Sequence, residues 1–259
     1  MEDRQMPMIS AKRLREPEIK AALIDVLFAE GMIDVDTVVI SEMPVASMGR
    51  RADIVVANGH LLGFEIKSDG DKTVRLGGQL QAYQKTFEGI VIVSGARHLA
   101  EILDSTPNTV GVVAVDQIEE GRPRARMLRK PHIRSMSIES AIRQMRVDDL
   151  WRLAHSLDIN PRRKRDRYSL EILVRSLPSR ILRQAALEAI KNRYRSTYES
   201  FKMAREKRFS TLESLPLLKR PPWNMGLRRG NSVKFQPPEP SEDVELSALK
   251  LNVRARRST

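Results

Sequence analysis

The chain has 259 residues, no cysteine, and 45 Lys and Arg against 33 Asp and Glu, a net charge of +12. The missing cysteines exclude a disulfide framework and thiolate metal sites. No apolar run approaches the roughly 20 residues of a membrane span, and residues 1–15 lack the apolar centre of a signal peptide, so a cytoplasmic protein (nucleoid-associated if bacterial) without membrane partners is expected.

The charge is unevenly placed. Residues 1–120 hold 12 Lys and Arg against 19 Asp and Glu, residues 121–210 hold 24 against 9, and residues 211–259 hold 9 against 5. An acidic first half before a strongly basic stretch suggests a polyanion held by one part and processed by the other. A basic region that only binds nucleic acid or an acidic partner is the plainer alternative.

Glu16 to Gly31 reads as a helix. Pro17 suits its first turn, Ile19, Ala22, Leu23, Val26 and Leu27 share one face, and Gly31 is a plausible stop. Thr37–Ser41 reads as a strand. Arg51–Ala57 and Leu61–Lys67 read as two further strands around Asn58-Gly59. Thr73–Phe87 reads as a helix weakened by Gly77-Gly78, each glycine costing about 1 kcal/mol. The apolar runs Gly89–Gly95 and Val110–Val115 flank a short helix over Arg97–Leu103 and read as parallel strands covered on both faces. The expected fold is α/β, in the order α, β, β-hairpin, α, β, α, β around one mixed sheet.

Residues 121–137 read as an irregular basic linker, because Pro123 and Pro131 oppose regular structure. Residues 138–212 read as a basic helical region. It holds a helix from Ile138 to Leu157, a basic loop, a helix capped by Ser169 and ended by Pro178, and a longer helix from Arg180 to about Arg208. Residues 213–259, rich in proline, read as a flexible tail.

The hairpin carries the chemistry. Strand interiors disfavour Asp, Glu and Lys, yet Asp53, Glu65 and Lys67 sit among Ile, Val, Leu and Phe. If Ile54, Val56, Leu62, Phe64 and Ile66 share one face, Asp53, Glu65 and Lys67 share the other. Paired residues point to the same side, so this arrangement needs an odd number of loop residues, with Gly59 in a left-handed conformation. Two adjacent carboxylates favour a cation between them, and oxygen ligands suit Mg²⁺ or Mn²⁺. Such an ion polarises a phosphodiester and acidifies bound water, and a lysine on the same face can orient that water. Strand-end charges in a surface salt bridge are the alternative.

Asp53 followed by Glu65-Ile66-Lys67 after a turn resembles the motif of the PD-(D/E)xK nuclease superfamily, whose restriction-endonuclease-like core has the order αβββαβ. Gln79-Leu80-Gln81-Ala82-Tyr83 resembles the Gln-x-x-x-Tyr motif of its RecB-like branch. Residues 15–116 also resemble a family of small, mostly uncharacterised bacterial proteins assigned there. The resemblance implies Asp53, Glu65 and the Ile66 carbonyl as metal ligands, Glu18 as a further ligand, and Lys67 as the catalytic lysine, with Gln79 and Tyr83 supporting the site or touching DNA. Ala52 stands where the motif's name has proline. The implied activity is a metal-dependent deoxyribonuclease, with DNA favoured over RNA as partner, and a homodimer would suit cutting of both strands. A non-catalytic DNA-binding or assembly protein on the same fold is the alternative.

Arg50 and Arg51, just before Asp53, are candidate phosphate contacts. The cluster Arg162, Arg163, Lys164, Arg165 and Arg167 would attract phosphates and release counterions, and its helix–loop–helix setting resembles SAP-type DNA-binding modules. Tyr168, Tyr194 and Tyr198 suit base stacking or core packing. His98 reads as structural.

Overall fold

The computed structural model describes residues 13–45, 49–116, 122–159, 166–205 and 209–219. Within them one six-stranded sheet runs in sequence order from β1 to β6. The strands are β1 (Val38–Pro44), β2 (Arg51–Ala57), β3 (Leu61–Lys67), β4 (Gly89–Gly95), β5 (Gly111–Asp116) and β6 (Arg124–Arg129). β1 to β3 form an antiparallel meander, β3, β4 and β5 are parallel, and β6 closes the far edge antiparallel to β5. The parallel steps need crossovers. They are supplied by α2 (Leu76–Gln84), entered through a 3-10 turn over Thr73–Arg75, and by α3 (Ala96–Ser105). The expected α/β architecture is the one observed.

Every residue of β3 and β4 is buried, as suits central strands covered on both faces. α1 (Glu16–Ala29) lies across β3 to β6 and buries Ile19, Leu23, Ile24 and Leu27. Three glycines permit the tightest packing. A Cβ on Gly63 would lie 2.4 Å from the Phe87 ring, one on Gly89 2.8 Å from Ile133 and Leu62, and one on Gly111 2.9 Å from the Pro131 backbone.

The stretch expected as an irregular connector supplies β6. Its sequence, Arg-Ala-Arg-Met-Leu-Arg, is an edge strand in which only Ala125 is buried. The apolar alternation that marks a strand is therefore nearly absent, and arginines guard the open edge. The expected helix over Ile138–Leu157 is two helices, α4 (Ile138–Gln144) and α5 (Val147–Ser156). The chain turns extended at Met145, and Asp149 accepts from the Arg146 amide at 2.8 Å to start the second. α6 (Arg167–Val174) is capped by Asp166, which accepts from the Ser169 amide, rather than by Ser169. α7 (Ser179–Ala204) is the long basic helix.

The helices of the basic half share the sheet's core. α7 lies against β1 and β2 and buries Ile181, Leu182, Ile190, Tyr194, Tyr198 and Phe201. Buried Lys191 pairs with Asp36, and Arg205 pairs with Asp25 at 3.1 Å. The start of the expected tail is also packed: Leu218 is fully buried, and Lys219 bridges Ser41 at the open edge of β1. The rest of that tail, residues 220–259, lies outside the described residues.

A candidate metal centre at the end of the hairpin

The register of the hairpin decides whether the charged residues meet. Ile54 pairs with Phe64, Val55 with Gly63, Val56 with Leu62 and Ala57 with Leu61. The loop is therefore Asn58-Gly59-His60, three residues long, and Gly59 has φ +98°. The same register carried one step further sets Asp53 opposite Glu65, on one side of the sheet.

Glu65 is held from all sides. Its Oε1 accepts from Lys67 Nζ at 2.9 Å and from the Gln79 amide, and its Oε2 accepts from the Tyr83 hydroxyl at 2.6 Å. Gln79 returns its Oε1 to Lys67 Nζ at 2.8 Å. Glu65 and Lys67 are both about 5 % exposed, at 4 % and 5 %. The four-residue spacing of Gln79 and Tyr83 puts both on one face of α2, and Tyr83 also donates to the Arg51 carbonyl at 3.2 Å. Asp53 accepts from the Ile66 amide at 2.7 Å. That bond lowers its pKa, but burial and the neighbouring Glu65 charge outweigh it, and the carboxyl is pushed up to about 7. The Tyr83 phenol is pushed above its ordinary value by burial and by Glu65.

Three residues at this site escape the sequence reading. Carboxylate oxygens of Glu16, Glu42 and Asp53 all lie within 4.8 Å of one another. Lys20, 5 % exposed, donates to Glu16 at 2.8 Å and to Glu42 at 2.9 Å. Burial works against its charge, yet the bonds to these two acids leave its pKa raised. Glu42 is opposite Asp53 in the β1–β2 register but has φ +57°, a left-handed backbone inside a strand. For a non-glycine residue that costs about 1–2 kcal/mol. The sequence signal for Glu42 was a charge interrupting Val38–Met43, the same anomaly that marked Asp53. For Lys20 it was an amine on the buried face of α1, four residues after Glu16.

The resemblance-implied ligand Glu18 is placed otherwise. Its carboxylate accepts from the Arg15 amide at 2.9 Å and pairs with the Arg15 side chain at 3.1 Å. It closes the first turn of α1, and the acidic wall beside Asp53 comes from Glu16 and Glu42. Arg50 lies over α2, where a Cβ on Gly78 would come 3.3 Å from its Nη2, while Arg51 is exposed. Arg167 turns inward, donating to the Met145 and Ile142 carbonyls and pairing with Glu171 at 2.6 Å. Arg162, Arg163, Lys164 and Arg165 lie outside the described residues. Tyr194 and Tyr198 are core residues and Tyr168 is exposed.

The carboxylate oxygens of Glu16, Glu42 and Asp53 are hard donors of the kind that suits Mg²⁺ or Mn²⁺. The Glu65 charge, which adds to burial in raising the Asp53 pKa, is also the kind of repulsion that a cation relieves. Among the described residues no helix is long and apolar enough to cross a membrane.

Comparison with known proteins gives a family. Residues 10–219 match the family described as Bacteriophage P4 protein cII. Protein cII of Enterobacteria phage P4 is 35% identical over 192 residues, covering 74% of this chain and 72% of that protein. Among solved structures, the SPO1766 protein of unknown function from Silicibacter pomeroyi aligns with 48% of this chain and 77% of its own, at 20% identity and a TM-score of 0.36.

Proposed function

The chain belongs to the Bacteriophage P4 protein cII family. From the geometry of the hairpin, and not from that family, we propose that it acts on nucleic acid through the face carrying Asp53, Glu65 and Lys67, as a metal-dependent deoxyribonuclease of PD-(D/E)xK type. One observation carries the reading. The three-residue hairpin loop sets both carboxylates and the lysine on one side of the sheet, with Gln79 and Tyr83 fixing Glu65.

In this reading Asp53, Glu65 and the Ile66 carbonyl would hold Mg²⁺ or Mn²⁺, and Glu16 or Glu42, nearer to Asp53 than Glu18 is, would add an oxygen ligand. The ion, when bound, supplies charge for the phosphodiester and acidity for water. Lys67 orients the attacking water and meets the charge that develops on phosphorus oxygens. Gln79 keeps the Lys67 ammonium against Glu65, so the two act as one unit. Tyr83 ties the carboxylate to the backbone at Arg51, which fixes the distance between the acidic residues and the chain that brings Arg50 and Arg51 to the substrate. Cutting of both strands of a duplex would engage two copies of the chain.

A second reading is a non-catalytic DNA-binding or assembly protein on the same fold, and the family match sits better with it, since the relative is described only as Protein cII. The site contains a matching observation. Glu65 spends both oxygens on Lys67, Gln79 and Tyr83, and the Lys20 ammonium already bridges Glu16 and Glu42. Such a cluster neutralises much of its own charge.

Incubation with plasmid, single-stranded DNA and RNA in Mg²⁺ or Mn²⁺, beside Asp53→Ala and Lys67→Ala, separates the two. Hydrolysis requires cleavage by the wild type that falls at least about 100-fold in both variants. Binding by all three proteins with cleavage by none supports the second reading. Equal cleavage by all three contradicts the first.

A further inference from the structure

We propose that a second cavity, at the opposite end of the hairpin, is a binding site for a phosphate group. It has a volume of about 570 Å³ and lies between the hairpin loop, the segment before α4 and the start of α7. Strand β3 runs from Leu61 beside this cavity to Lys67 at the acidic face. Six residue steps at about 3.3 Å separate the two by roughly 20 Å.

The lining is basic. Arg134, Arg180 and Arg183 face the cavity with His60, Ser135 and Ser179. Its one acid, Glu88, is 1 % exposed and already spent, paired to Arg183 at 2.5 Å and accepting from the Leu61 amide at 2.8 Å. Arg134 and Arg180 are exposed and have no acidic partner among the described residues. Two guanidinium groups are thus left over in one concave site.

The backbone holds them there. The Arg134 amide donates to the Glu88 carbonyl at 2.8 Å, and the His132 amide to the Thr109 carbonyl at 2.9 Å, so the segment is tied across the starts of β4 and β5. The absence of a Cβ on Gly89 lets Ile133 pack against that strand. Arg180 stands in the first turn of α7, whose N-terminus follows Pro178 and carries no side-chain cap. Ser179 and Arg180, the first two residues of this 26-residue helix, line the cavity, so the positive end of the helix lies beside it. Planar guanidinium forks, hydroxyls and helix amides together match the geometry and charge of a phosphate oxyanion. Ile133 adds an apolar wall beside them, as a sugar or base next to the phosphate would use.

The phosphate can come from a nucleic-acid strand or from a free phosphorylated compound. Only the first source rests on the function proposed above. The test uses the full chain, an Arg134→Ala/Arg180→Ala pair and an Arg134→Lys/Arg180→Lys pair. Arg183 is left in place because it holds Glu88. The probes are a 5′-phosphorylated single-stranded oligonucleotide, its 5′-hydroxyl twin, and inorganic pyrophosphate.

The alanine pair should weaken binding of at least one probe about tenfold near 0.1 M salt. For an oligonucleotide it should also flatten log affinity against log salt by about 0.7, the loss of one single-strand phosphate contact. The lysine pair should keep the salt slope. An effect on both oligonucleotides places the strand's backbone in the cavity, an effect on the phosphorylated one alone places its end there, and an effect on pyrophosphate alone assigns a free phosphorylated compound. Unchanged binding of all three probes to the alanine pair, with unchanged salt slopes, overturns the proposal. The result is separable from the acidic face, because Asp53→Asn in the same assay abolishes any cleavage without touching the arginines.

Discussion

The two ends of one hairpin each bury a glutamate, and they compensate it differently. At the loop end Glu88 is 1 % exposed and receives a backbone amide and a guanidinium fork. One charge meets one charge, and the pair ties α7 to the sheet. At the far end Glu65 is just as deeply placed and is bonded by Lys67, Gln79 and Tyr83. But there Asp53 stands beside it, with Glu16 and Glu42 next to that, and Lys20 and Lys67 do not cover the whole cluster. Burial first, and the Glu65 charge second, push the Asp53 carboxyl up to about 7. A buried acid that is structurally satisfied looks like Glu88. A buried acid crowded by further carboxylates, as around Asp53, is the arrangement on which the proposed cation site rests.

The largest expected effect is at the loop end. Glu88→Gln removes the charge that holds Arg183 and weakens the acceptor of the Leu61 amide. Breaking a buried pair from one side costs about 3 kcal/mol or more, to be seen as a lower denaturant midpoint at unchanged slope. A loss under about 1 kcal/mol would mean that Arg183 finds another partner, and the contrast between the two glutamates would fail.

The next effect is a pH dependence with a definite sign. The folded pKa of Asp53 lies above its unfolded value of 3.8. Its contribution to stability is therefore full below about pH 4 and is lost as the pH rises through about 7. A shift of this size is worth on the order of 4 kcal/mol. Asp53→Asn should remove that slope between about pH 4 and 7, and millimolar Mg²⁺ or Mn²⁺ should flatten it in the wild type by favouring the carboxylate. Denaturant midpoints across the pH range, for both proteins with and without the ion, check both statements.

Tyr83→Phe deletes the hydroxyl that donates to Glu65 and to the Arg51 carbonyl. A hydrogen bond to a charged group is worth about 1.5–3 kcal/mol. The expected loss falls inside that range, and cation affinity should fall with it if Tyr83 positions Glu65. The smallest effect is at Gly78→Ala. Its new methyl meets only the far end of Arg50, and helix propensity favours alanine by about 1 kcal/mol. The protein should be unchanged or slightly more stable, with any loss confined to nucleic-acid binding through the displaced Arg50.

The hairpin was legible because strand side chains alternate strictly. Three charges in apolar strands, together with the parity of Asp53 and Glu65, required an odd loop, and Asn58-Gly59-His60 is that loop. Gln79 and Tyr83 entered through the resemblance to the Gln-x-x-x-Tyr motif, whose four-residue spacing puts both on one face of α2. Glu42 was not, because its aim depends on a left-handed backbone that nothing in Val38–Pro44 announces. Lys20 was not, because half of its meaning lies 22 residues away in β1. Glu18 stands on the expected helix, two residues past Glu16, whose carboxylate lies near Asp53. β6 was hidden because an edge strand of arginines buries one alanine and leaves no apolar pattern to read.

The account turns on one claim: that the surplus acidity around Asp53 is a cation site. Calorimetric titration of Mn²⁺ into the wild type and into Asp53→Asn, at a pH near 7.5, tests it most directly. The account predicts saturable binding to the wild type, accompanied by proton release, and at least about tenfold weaker binding to Asp53→Asn. No saturable binding to the wild type, or equal binding to both proteins, would contradict it.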